Sequence, residues 1–188
     1  MKKPGGYESL IVYQQAVIIY DLTLQFCQKH LRDFGAGIPT RRTIDQMIQA
    51  ARSGKQNIVE ASLEKSLKMN IKLTGVSRAS FGELKEDYED FLRSRNLPIW
   101  DKNNPKALEI RALRVSTNLA NEPNKSNLSN LSNWANTPER FANLMITLIS
   151  KENYLLDQML RSLEQKFVSK GGYSENLFKK RLEQRKKT

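Results

Sequence analysis

LIVYQQAVIIYDLTLQFCQKHL, residues 10–31, is the stretch whose reading decides the fold. Leu10, Tyr13, Val17, Tyr20, Leu24, Cys27 and Leu31 recur at alternating spacings of three and four. At about 100° per residue such a series lies along one face of an α-helix. Ile11, Ile18, Leu22 and Phe26 add a second apolar strip beside it. A helix apolar over so wide an arc is expected to be covered by more than one neighbour. Gly35, Gly37 and Pro39 are expected to end it.

The same periodicity continues downstream. A second helix is predicted over residues 41–64, with Thr40 as N-cap and Ile44, Met47, Ala51, Gly54, Ile58 and Ala61 along one face. Ala50, Ala51, Ser53, Gly54 and Ala61 are small, and they predict a closely approaching neighbour. A glycine in a helix interior costs about 1 kcal/mol against alanine, which close packing can offset. A third helix is predicted over 69–95, with Leu73, Val76, Ser80, Leu84, Tyr88 and Phe91 facing inward and Leu97-Pro98 stopping it. Its later half, residues 83–90, is acidic and reads as a solvated face or one paired with basic residues.

Pro105 is expected to open a short helix carrying Leu108, Ala112, Val115 and Leu119 on one side. From 121 to 136 the composition changes to a three-residue tandem repeat of Asn-x-Ser type, read as a flexible low-complexity insertion. The last long helix is predicted from Thr137 (N-cap) and Pro138 (first residue) to Lys170, along Phe141, Met145, Leu148, Leu155, Met159, Leu163 and Phe167. Gly171-Gly172 should terminate it. Residues 171–188 form a basic tail, either a short helix or a disordered arm, with Leu177, Phe178 and Leu182 as a thin apolar edge. The expected architecture is all-α: an antiparallel up-down-up-down four-helix bundle over 1–170, with an insertion at about 97–137 that includes the short helix.

The chain is 188 residues long with a net charge of +11, which favours anionic partners. The excess is concentrated. Residues 41–72 hold a net +4 and residues 169–188 a net +5, whereas 73–104 hold −1. Arg41, Arg42, Arg52 and Lys55 on the second helix, and Lys179, Lys180, Arg181 and Arg185 in the tail, are therefore the candidate nucleic-acid-binding residues. Binding to phosphate backbones of RNA or DNA would depend strongly on salt and carry little sequence specificity. No apolar run approaches the roughly 20 residues a membrane span needs. The first residues, MKKPGG, lack the apolar core of a signal peptide, and one cysteine forms no internal disulfide. The expected compartment is the cytoplasm.

Catalysis is not expected. His30 is the single histidine, so no multi-histidine metal site is available, and Cys27 falls on the apolar seam. Neither a metal nor a cofactor is expected. Asn57, Glu60, Arg78 and Glu83 lie near the small-residue face and read as an interhelical polar network that sets register, with an internal ligand site as the alternative.

QAARSGKQNIVEAS (49–62) and LTGVSRASFGEL (73–84) resemble the signatures of the bacterial four helix bundle proteins. This family includes proteins encoded in intervening sequences of large-subunit ribosomal RNA genes and the accessory variability determinant of diversity-generating retroelements. YESLIVYQQA (7–16) is similar to the family's first helix, and GGYSENL (171–177) to a suffix found in one branch. The sequence departs at Ala61, where the family commonly has glycine. The resemblance implies a homo-oligomer, a pentamer in the retroelement branch, whose basic surface binds nucleic acid and a reverse transcriptase. A protein-interaction scaffold that docks an acidic or nucleic-acid-processing partner is the alternative.

Overall fold

The computed structural model describes residues 6–31, 41–112, 131 and 135–187. The expected terminators of the first helix (Gly35, Gly37, Pro39), the Thr40 cap, Val115, Leu119 and most of the tandem repeat lie outside them. All regular structure among the described residues is helical.

A 3-10 turn at Gly6–Ser9 leads into α1 (Ile11–His30). The buried face of α1 is Val12, Gln15, Ala16, Ile18, Ile19, Leu22, Thr23, Phe26 and Cys27. This corrects the seam read from spacing. Tyr13, Val17, Tyr20 and Leu24 flank the buried face half-covered, and Ile11 is 62% exposed. With apolar residues all round the helix, spacing alone cannot select the inward arc. Neighbouring helices select it, and the arc they choose contains two polar residues.

α2 (Arg41–Leu63) and α3 (Leu67–Arg93) follow, joined by three residues. Their contact explains Gly54. A Cβ on Gly54 would stand 2.7 Å from Cζ of Phe81, so only a hydrogen fits. The same approach lets the Ser77 hydroxyl donate to the Gly54 carbonyl at 2.8 Å. The inward stripe of α3 is accordingly Thr74, Ser77, Ser80, Phe81, Leu84, Tyr88, Phe91 and Leu92. Leu73 is only half-buried and Val76 is 40% exposed, which corrects the first two positions of the predicted stripe. Hydroxyl-bearing residues take the inward places there because the helix axes are close.

α3 ends in a turn at Asn96, which has a φ of 52°. The backbone then crosses to α5 (Pro138–Lys170), where Asn143 is fully engaged: its Oδ1 accepts from the Trp100 amide at 2.7 Å, and its Nδ2 donates to the Pro98 carbonyl at 2.9 Å. Between them, α4 (Pro105–Ala112) buries Ala107 and Ile110, while Leu108 and Ala112 face outward, the reverse of the expected side. Leu131, inside the low-complexity segment, is buried in the core at 1% exposure. One part of that segment thus packs.

α5 starts as local chemistry dictates. The Thr137 hydroxyl accepts from the Arg140 amide at 3.2 Å, Pro138 occupies the first turn, and Gly171 ends the helix at a φ of 72°. The tail resolves in favour of a helix, α6 (Tyr173–Lys187), and none of its described residues joins the core.

The long helices share one core. α1 packs on α2 and α5, and α3 packs on α2 and α5. Phe26 is at its centre, edge-on to Tyr88 at 4.9 Å, Phe91 at 4.8 Å and Phe141 at 5.3 Å. Three edge-to-face contacts on one ring add directional preference to the burial itself.

Candidate nucleic-acid interface

The two basic segments occupy unlike surroundings. Arg41 and Arg42 are exposed at the start of α2 and line an open cleft of about 790 Å³ against α3. Asp45, Glu83 and Asp87 line the same cleft, so carboxylates outnumber the two guanidinium groups. Burial, with repulsion from Asp90 and Glu83, pushes the Asp87 carboxyl up to about 6. Arg52 is exposed, whereas the ammonium group of Lys55 lies 4.0 Å over the Tyr20 ring of α1. Lys55 also faces Asp21, partly countering the upward push that burial exerts on that carboxyl. The α2 residues therefore do not form one continuous basic patch.

The tail differs. Lys179, Lys180, Arg181 and Arg185 are all exposed on α6, and none forms an ion pair within the described residues. The ion pairs there join Arg78 to Asp157, Lys85 to Glu89 and Arg93 to Asp90. Tyr173, Leu177, Phe178 and Leu182 of α6 are between 41% and 61% exposed, so the tail presents apolar and aromatic surface beside its cations. Near the start of α6, Asn176 donates to the Lys170 carbonyl at 3.1 Å and Glu175 accepts from the Gly172 amide at 3.1 Å.

The predicted polar network is not the one formed: among the described residues no hydrogen bond joins two of Asn57, Glu60, Arg78 and Glu83, and the polar contacts between α2 and α3 are made by serines. Asn57 donates to the Ser53 carbonyl at 2.8 Å and to its hydroxyl at 3.2 Å, and that hydroxyl meets Ser80 across the helix pair at 3.1 Å. Arg78 bridges instead to Asp157 on α5. Glu60 and Glu83 are exposed and stand outside the network, because the close α2–α3 approach admits hydroxyls and excludes longer acidic side chains.

The buried polar groups of the core escaped the sequence reading. Gln15 donates to the Leu148 carbonyl at 2.8 Å, and Tyr88 donates to Thr23 at 3.1 Å. Glu152 is fully buried. Its signal was a gap: the apolar stripe of the last helix steps from Leu148 to Leu155, and Glu152 fills the missing inward position.

Two candidate reactive side chains are held in unreactive settings. Burial pushes the Cys27 thiol up to about 12, with Asp87 adding to it, so little thiolate forms. His30 lies against the rings of Phe26 and Phe141, and burial lowers its pKa. Among the described residues no group of three or more His, Cys, Asp or Glu side chains could hold a metal ion, and no helix is long and apolar enough to cross a membrane. No family model, curated protein or solved structure matches this chain.

Proposed function

We propose that the chain is a non-catalytic accessory protein of the cytoplasm that binds RNA or DNA through phosphate contacts, chiefly from α6. The observation that carries this reading is the row of exposed basic residues on α6, free of ion pairs with the described residues. Unpaired cations on a projecting helix release counterions when phosphates replace them, which drives sequence-independent binding. Arg52, exposed on α2, is a further cation for phosphate. Arg41 and Arg42 contribute less, because Asp45, Glu83 and Asp87 share their cleft. The absence of catalysis rests on the buried thiol of Cys27 and the aromatic enclosure of His30.

The architecture we propose is an up-down-up-down four-helix bundle formed by α1, α2, α3 and α5. It is supported by the residues that meet: Tyr20 with Lys55, Gly54 with Phe81, Arg78 with Asp157, and Phe26 with both Tyr88 and Phe141. With the resemblance of residues 49–62 and 73–84, this suggests a bacterial four helix bundle protein that assembles as a homo-oligomer, a pentamer if it follows the retroelement branch.

Binding of labelled RNA and DNA, measured by fluorescence anisotropy across a salt series, tests the reading. Affinity is expected to fall linearly with the logarithm of salt concentration. Replacing Lys179, Lys180, Arg181 and Arg185 with alanine should reduce that slope by roughly 3–4. No binding at low salt, or an unchanged slope, overturns it. The exposed Tyr173, Leu177, Phe178 and Leu182 favour a second reading, in which α6 docks a protein partner such as a reverse transcriptase. Binding to that partner that survives nuclease treatment and is lost on Phe178→Ser would select it.

A further inference from the structure

Glu152 stands on α5 one helical turn beyond Leu148 and is 0% exposed, and neither of its carboxyl oxygens has a hydrogen-bond partner. Gln15 of α1, also 0% exposed, gives one amide hydrogen to the Leu148 carbonyl at 2.8 Å, while its Oε1 has no partner. Adjacent turns of the α1–α5 seam thus hold three buried acceptor atoms without a hydrogen-bond partner. An ionised carboxylate only accepts, so it cannot serve the Gln15 oxygen. A protonated carboxyl supplies the one missing O–H. Leaving such groups unpaired in a core is costly, and more so when one is charged.

We propose that Glu152 is an internal proton-binding site: it keeps its proton in the folded protein at neutral pH, donates it to Oε1 of Gln15, and loosens α1 from α5 when that proton leaves. Burial alone holds this carboxyl well above its ordinary range. Three charged groups of the surrounding helices are engaged elsewhere. Asp21 on α1 faces Lys55, Arg78 on α3 is held by Asp157, and Lys151 reaches the Arg111 carbonyl of α4 at 3.1 Å.

The sign of the linkage follows. In the unfolded chain a glutamate loses its proton near pH ~4.3. The folded-state pKa is raised, so the stability contributed by the neutral acid is fully present below that pH. It is lost as pH rises toward the folded value. Urea unfolding of the wild type and Glu152→Gln over about pH 5 to 8 measures it. The amide is nearly isosteric, donates without ionising and can serve Gln15 at every pH. The unfolding constant of the wild type is expected to rise relative to the variant by up to about tenfold per pH unit within the window. Asp87 and His30 are common to both chains, so the difference isolates Glu152. Equal slopes overturn the proposal.

Infrared difference spectroscopy provides a second readout. A protonated-carboxyl band is expected at pH 7 that is absent from Glu152→Gln and displaced in Gln15→Leu. An ionised carboxylate at pH 7 removes the proton site, and a band unmoved by Gln15→Leu removes the Gln15 contact.

Discussion

Where α2 meets α3 the helices touch through small residues, and where α1 meets α5 long polar side chains are enclosed beside the aromatic core. The first seam is built from Gly54, Ser53, Ser77 and Ser80, with the Phe81 ring laid against the glycine. The second carries Gln15 and the enclosed Glu152. Both are buried and both contain polar atoms, yet they respond to change differently. Hydroxyls on the first seam reach backbone and side-chain partners within their own helix pair, so the seam is self-satisfied and sensitive mainly to volume. On the second, satisfaction depends on a proton, so the seam is sensitive to charge.

Four substitutions break or sharpen this contrast. Gly54→Val should have the largest effect, a loss of about 2–3 kcal/mol in urea unfolding, since the new side chain overlaps the Phe81 ring. The loss should be the same at pH 5 and pH 8. Gln15→Leu should cost about 1–2 kcal/mol by removing a buried hydrogen bond and the acceptor beside Glu152. Its cost should change with pH, which distinguishes the two seams. Tyr88→Phe removes the bond to Thr23 and should cost about 1 kcal/mol with no change in the pH profile. Arg78→Ala should matter least, below about 1 kcal/mol and less in high salt, because its bridge to Asp157 is solvent-exposed, at 47% and 36%.

The two basic segments offer a parallel contrast. Each carries a surplus of positive charge in the sequence. Only the structure reveals that Arg41 and Arg42 share a cleft with three carboxylates and that Lys55 lies over an aromatic ring, while the tail cations form no ion pair with the described residues. Charge counted along a chain sums residues close in sequence. The electrostatic field at a surface sums those close in space, and Glu83 and Asp87 arrive at α2 from the next helix.

Helix existence and several boundaries were legible because their causes are local. Thr137 and Pro138 start α5, Gly171 stops it, and the run of small residues around Gly54 announced a close neighbour that proved to be Phe81. The inward face of α1 was not legible. Its apolar residues cover so wide an arc that several seams fit equally, and the choice fell to the one containing Gln15 and Thr23. Those two residues look like surface residues until Leu148 and Tyr88, far along the chain, come alongside. The sequence by itself determined the helices, the two ends of α5 and the tight glycine contact, since propensity and capping act over a few residues. Only the tertiary structure decided which polar groups are enclosed and which cations remain unpaired, since hydrogen-bond satisfaction and electrostatic pairing depend on neighbours that folding alone supplies.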